Sequence, residues 1–330
     1  MRWGIIGFGW VARDFVAPAM LAEGHRIAAI ADPSIDAQTA GKALGARVFP
    51  AYADMLADGG FDAVYIATPN HLHAEACIAA LEAGIPVLCE KPMAASLTDA
   101  ERMADAVRRT GTLYGTAFDQ RHHPAHRRLT DTILAGTIGR VVAMRLVYAC
   151  WVDPHFAPNA DHDNWRIAPD KAGGGAVIDL ALHGLDLTQM LVGERFDTLS
   201  IMLQRRLHDY AVDDGGMLTA RTPSGILLNA HTAYNCAETL PRRRLEILGE
   251  TGLLTATDTM GQTAGGTLTL QEADSAPRAV PFDDVRSPFA AQIAAFADAT
   301  NGQVHDFDVD RDLALMRLFD AAHEEARRCL

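Results

Sequence analysis

Gly7-Phe8-Gly9-Trp10-Val11-Ala12 directly follows the apolar run Trp3–Ile6 and opens a helical pattern, Val11–Leu21, that Pro18 kinks or shortens. This G-x-G-x-x-A sequence between a strand and a helix constrains the fold more than any other stretch. The first glycine allows a tight turn, the second lets backbone approach a diphosphate, and the small third residue lets the helix pack close to the sheet. Free N–H groups and the dipole at the helix N-terminus favour an anion there. The spacing therefore predicts a β-α unit that holds a dinucleotide through Gly7, Phe8, Gly9, Trp10 and Val11. The next apolar run, Arg26–Ala31, is followed by Asp32, twenty residues beyond Ala12. A carboxylate there accepts hydrogen bonds from the adenosine ribose hydroxyls and repels a 2′-phosphate. No Arg or Lys follows until Lys42. NAD is the expected cofactor, ahead of NADP.

Further apolar runs at Ala63–Ala67, Pro86–Cys89 and Leu113–Ala117 alternate with helical stretches at His71–Ala83 and from Ser96 or Thr98 to Arg109. Gly84 and Gly111 stop those helices. Alternation of this kind predicts an α/β domain with a doubly wound parallel sheet over residues 1–119. The pattern then changes. Pro124–Leu134 and Ala176–Leu191 read as helices and Arg140–Trp151 as a long strand. Asp153–Gly174 is a polar loop, and six β-type runs between Thr198 and Leu270 have no helix between them. Two helices, near Pro288–Thr300 and Asp310–Cys329, close the chain. Residues 120–330 are thus expected to form an α+β domain with a large, mostly antiparallel open sheet, its final helices able to pack back toward the first domain. The open face of that sheet suits a homodimer or homotetramer.

The 29 Lys and Arg against 42 Asp and Glu give a formal net charge of −13. So acidic a chain is a poor partner for nucleic acid or an anionic membrane surface. The five scattered cysteines never fall in C-x-x-C spacing, which points to reduced thiols and a cytoplasmic protein, without a zinc site. No signal peptide is read at the N-terminus.

Two segments carry titratable chemistry. Glu90-Lys91-Pro92 follows a strand, at the carboxyl edge where ligands of doubly wound sheets gather. Gly173-Gly174-Gly175 precedes a helix with Asp179 and His183 four residues apart, hence on one face. The glycines are expected to let a cofactor or substrate come close. An ammonium, a carboxylate and an imidazole suit proton transfer at a hydroxyl.

These segments, with Thr68-Pro69-Asn70-His71-x-His73, resemble the glucose-fructose oxidoreductase / inositol dehydrogenase / rhizopine-catabolism (Gfo/Idh/MocA) family. They occur in family order over residues 3–193. The resemblance implies a Rossmann domain followed by a substrate-binding domain. It implies a dehydrogenase or reductase acting on CH–OH groups of a sugar, sugar derivative or inositol-like polyol. Lys91 and His183 would contact the reacting oxygen, with Asp179 beside them. Thr68, Pro69, Asn70 and His73 would line the nicotinamide ribose, Glu90 would lie at the cofactor, and Gln120, Trp165 and Arg166 would lie near the nicotinamide. Arg121 and His155 are expected to reach substrate. The Leu180-Ala181-Leu182 stretch departs from the family's glycines. The Arg2-Trp3-Gly4 start, Leu88–Pro92 and Ala125-His126-Arg127 are similar to NADPH-using 1,5-anhydrofructose reductases, but Asp32 departs from that branch, so its substrate is not carried over. Two alternatives share these features: a retained-NAD glycosidase or lyase, and a non-catalytic nucleotide or sugar sensor. The sensor predicts damage to the Lys/Asp/His set, and all three residues are present.

His122, His123 and His126 among Arg121, Arg127 and Arg128 read as a solvated helix start. Asp161-His162-Asp163 reads as polar loop, and Arg242-Arg243-Arg244 as an exposed strand edge.

Overall fold

Five short apolar runs of the N-terminal part, with one further short strand, become one parallel sheet. Its strands are β1 (Arg2–Ile6), β2 (Arg26–Ala31), β3 (Arg47–Phe49), β4 (Ala63–Ile66), β5 (Val87–Glu90) and β6 (Tyr114–Ala117), in the order 3-2-1-4-5-6. The order reverses beside β1, so the crevice for a ligand opens at the carboxyl ends of β1 and β4. The computed structural model describes residues 1–156 and 164–330. Trp3, Ile5, Tyr65 and Leu88 from the strands meet Val16, Met20 and Phe296 in one buried core. The helix after β1 begins as a π turn, Ala12–Val16, and becomes α only at Ala17–Ala22. Pro18 has no N–H to give to an i−4 carbonyl, which disturbs the helix ladder at that point. The helix Leu97–Thr110 is capped by Ser96, whose hydroxyl accepts from Asp99 N at 3.2 Å, and ends at Gly111 with φ +66°. The sequence reading omitted β3 and the helices Ile35–Ala43 and Tyr52–Asp58. All three are short, and the 3-residue β3 offers little periodicity to read.

The second sheet has eight strands: β7 (Val141–Ala149), β8 (Thr198–Gln204), β9 (Gly215–Arg221), β10 (Leu227–Ala233), β11 (Arg243–Gly249), β12 (Gly252–Thr257), β13 (Thr267–Glu272) and β14 (Arg278–Ala279). Their order is 14-13-12-11-7-10-9-8, antiparallel except where β10 runs parallel to β7. Arg242–Arg244 is not at a sheet edge. β11 lies between β12 and β7, and the Arg243 guanidinium lies 5.9 Å from the Tyr148 ring centroid. Within the helical stretch 169–192, the most apolar 18 residues have a mean hydropathy of 1.2 and are 83% buried, as a core helix is.

By contact the chain forms two compact units. One comprises residues 1–117, 155–173 and 289–316, the other 118–154, 174–288 and 317–330. Segments 155–173 and 289–316 return to the unit of the parallel sheet, where Phe289, Ile293 and Phe296 complete its core.

Candidate active site

In the first unit, the glycine-rich turn leaves β1 at its carboxyl end. Gly7 has φ +84°, and its N–H donates to Ala31 O at 2.8 Å. A Cβ there would stand 2.8 Å from the backbone of Ala67 and Thr68, so only glycine lets the turn pass the end of β4. Ala12 is fully buried, as the small third position requires. Phe8 puts its ring in the core, so it meets the crevice through backbone alone. Its N–H donates to Asp32 Oδ2 at 2.7 Å, while Asp32 Oδ1 accepts from Ser34 N at 2.8 Å. The carboxylate is thus locked onto the turn it serves. Arg13, one residue beyond the G-x-G-x-x-A stretch, pairs with Asp36 at 2.8 Å. One cation therefore stands with two carboxylates beside the ends of these elements.

Trp10, on the same turn, packs edge-on against Phe156 at 6.0 Å. The Arg166 guanidinium lies 5.9 Å from the Trp10 centroid, 5.6 Å from Phe156 and 4.6 Å from Trp165. These distances suit cation–π contact. The Trp165-Arg166 pair and the glycine-rich turn thus belong to one cluster. Thr68 Oγ1 is buried and has no partner among the described residues. An orphaned hydroxyl and a turn that excludes any Cβ together fit a dinucleotide, whose polar atoms can satisfy both. Lys91 comes one residue after β5, at the same carboxyl edge. Glu90 before it accepts from Tyr65 Oη at 2.6 Å and from Lys91 N at 3.3 Å. His155 is exposed, and Asp161-His162-Asp163 lie outside the described residues.

Two expectations for this unit are corrected. Asn70 is buried and its Nδ2 donates to Ala172 O at 2.9 Å, so its amide ties two chain segments together. His73 is fully buried, with Nδ1 3.0 Å from Pro92 O and Nε2 2.9 Å from Thr68 O. Both ring nitrogens are spent on backbone, so the side chain staples the Thr68 and Pro92 loops and lines no ribose. Burial pushes its pKa down, but Cys89 and the two carbonyls outweigh burial and the net shift is upward.

In the second unit, the helix carrying Asp179 and His183 starts as a π turn, Val177–Ala181, and continues as α over Leu182–Val192. Asp213 caps it, accepting from Gly175 N at 2.9 Å and Val177 N at 2.8 Å. Burial pushes the Asp213 carboxyl up against the pull of those N–H groups. Asp179 Oδ2 accepts from Tyr234 Oη at 2.6 Å. Tyr234 is buried and follows β10 directly. His183 Nδ1 lies 3.3 Å from Asp119 Oδ1, and both side chains are buried. Asp119 Oδ2 accepts from Gln120 Nε2 at 2.8 Å, and Gln120 Nε2 also donates to Gly261 O at 3.1 Å. Tyr148 meets the His183 ring edge-on at 5.8 Å. Its phenol is held far above the usual range by burial, then by Asp119.

Further expectations change here. The glycines before the helix let the chain itself come close: a Cβ on Gly173 would strike Ala95 O, and one on Gly175 would strike Asp213 O. Gln120 is buried with its amide N–H groups spent inside this unit, on Asp119 and Gly261. Arg121 is no substrate ligand. It is buried and forked onto Asp186, with Nε–Oδ2 2.7 Å and Nη2–Oδ1 2.8 Å. His123 and His126 are fully buried, not solvated. His123 Nε2 meets Thr263 O at 3.0 Å, and His126 lies between Gln120 O at 2.8 Å and Thr259 Oγ1 at 2.9 Å. Burial holds their pKa at about 4 and about 3. Asp119 and Tyr234 are absent from the sequence reading. Each stands just past a strand end, which is the only local signal either gives.

Residues 1–118 match the family model described as an oxidoreductase family with an NAD-binding Rossmann fold. Residues 126–255 match the GFO/IDH/MocA C-terminal domain. The 1,5-anhydro-D-fructose reductase of Ensifer adhaerens is 33% identical over 91% of this chain and 88% of its own length. The NADP-dependent D-xylose 1-dehydrogenase 2 of Haloferax volcanii is 29% identical over 99% of this chain and 97% of its own. A levoglucosan dehydrogenase solved with NADH and levoglucosan has the same fold, with a TM-score of 0.87 and 24% identity over 99% of this chain and 97% of that one.

Proposed function

The chain belongs to the GFO/IDH/MocA oxidoreductase family, and we propose that it transfers hydride between NAD and a CH–OH group of a sugar, sugar derivative or inositol-like polyol. The relatives named above act on sugars and anhydrosugars, which supports that substrate class. One observation carries the cofactor choice: Asp32 is locked onto the glycine-rich turn by Phe8 N and Ser34 N, and the nearby Arg13 is already paired with Asp36. At an effective dielectric of about 20, a phosphate roughly 5 Å from a carboxylate meets about 3 kcal/mol of repulsion per unit charge.

Gly7, Gly9, Trp10, Asp32 and Thr68 would hold the dinucleotide, which when bound supplies the hydride acceptor or donor. In oxidation His183 takes the hydroxyl proton. Lys91 donates a hydrogen bond to the same oxygen and stabilises the negative charge that develops there. Asp179, fixed by Tyr234, orients the substrate.

The test is absorbance of reduced nicotinamide with D-xylose, levoglucosan and myo-inositol, each with NAD and NADP, and with 1,5-anhydro-D-fructose in the reducing direction. We expect turnover with at least one, and a higher kcat/KM with NAD(H). A preference for NADP(H) would overturn the role of Asp32. Absence of turnover across the panel, despite NAD binding, would count against the net redox reaction.

A further inference from the structure

We propose that Asp119 is a positioning residue for His183: its carboxylate fixes the Nδ1–H form of the imidazole, so that Nε2 exchanges the substrate proton. The proposal rests on the function given above. The two residues come from separate elements, the turn Asp119–His122 and the helix Leu182–Val192. They meet at 3.3 Å, within ion-pair reach though without the alignment of a hydrogen bond, with both side chains buried and Nδ1 shielded from solvent. The carboxylate is braced, because Gln120 Nε2 holds its other oxygen and is itself tied to Gly261 O. Phe118 and Tyr148 stand edge-on to the ring, at 6.5 and 5.8 Å, and confine its orientation.

A neutral imidazole has one N–H and one lone pair, and which nitrogen holds the proton follows from the partner of the other. A carboxylate at Nδ1 selects Nδ1–H and leaves the lone pair on Nε2. In oxidation the substrate O–H bond breaks and its proton moves to Nε2. The C–H bond breaks with its electron pair, which leaves as hydride to NAD⁺, and the carbon becomes a carbonyl. Asp119 then faces an imidazolium, which its charge stabilises. Beside the ring, Tyr148 is acted on by Asp119, Arg243, Cys150 and Asp179.

The experiment compares wild type with Asp119→Asn, using NAD and whichever panel sugar the wild type turns over fastest. An asparagine that turns its amide N–H toward Nδ1 selects the wrong tautomer. The expected loss in kcat is about 10²-fold or more, with NAD affinity unchanged. The opposite charge is gone, so the acid limb of the kcat profile should move to lower pH. A merely structural Asp119 would lower stability without moving that limb. Independently, ¹⁵N NMR of the wild-type ring, assigned by comparison with His183→Gln, should show a protonated Nδ1 and a bare Nε2. A bare Nδ1 in wild type, or a variant that keeps both kcat and pH profile, overturns the proposal. The NMR arm decides even if Asp119→Asn fails to fold. If no panel sugar is turned over, the functional reading fails while the tautomer still tests Asp119.

Discussion

The Arg121–Asp186 pair separates a structural ion pair from a substrate ligand. Two guanidinium contacts, 2.7 and 2.8 Å, go to one carboxylate, and the side chains are 7% and 1% exposed. Arg121→Met leaves the Asp186 carboxylate buried and stripped of that charge partner. Breaking a buried pair from one side costs about 3–5 kcal/mol, whereas replacing both partners by apolar residues of similar volume is often neutral. Total stability of a folded protein is typically about 5–15 kcal/mol, so the single change is a large fraction of it. The expected pattern in urea unfolding is therefore a severe loss for Arg121→Met, a similar loss for Asp186→Leu, and recovery of most of it in the double variant. A substrate ligand behaves otherwise. Loss of less than about 1 kcal/mol in Arg121→Met, as at ordinary surface positions, with a large rise in KM for the sugar, would refute the structural assignment.

Two further outcomes follow from the buried histidines. His123 and His126 titrate at about 4 and 3, and His323 is pushed by burial to about 4, all below the unfolded value of about 6.5. Between about pH 6.5 and 4 the unfolded chain binds the extra protons, so stability falls as pH falls through that window, by up to about 4 kcal/mol per pH unit if all three act. Urea midpoints at pH 7, 6 and 5 measure this, and a flat series would refute it. His73→Leu strands the carbonyls of Thr68 and Pro92, each at a cost of about 1–3 kcal/mol. Both urea stability and NAD affinity in a cofactor titration should drop, and retention of both would argue against the staple.

The strand and helix pattern was legible because it is periodic and local. The glycine-rich turn, the end of β2 at Asp32 and the helix with Asp179 and His183 all lie where backbone signals put them. What the side chains do there was not legible, because their partners are remote. Asp186 is 65 residues from Arg121, Tyr234 is 55 from Asp179, and Thr259 is 133 from His126. The glycines at 173 and 175 show the same limit. A run of small residues announces that something comes close, but only the fold reveals that the visitors are the carbonyls of Ala95 and Asp213.

The histidines carry that point into chemistry. At His73 Cys89, and after it the carbonyls of Pro92 and Thr68 that face the two ring nitrogens, outweigh complete burial, and the pKa rises. At His126 one partner is a carbonyl and the other a hydroxyl that can donate. One ring proton satisfies both, and burial then holds the ring neutral. At His183 the facing group is a carboxylate, which neither forces a charge nor forbids one. On the function proposed above, that arrangement leaves the opposite nitrogen to exchange a proton, as a general acid–base residue requires.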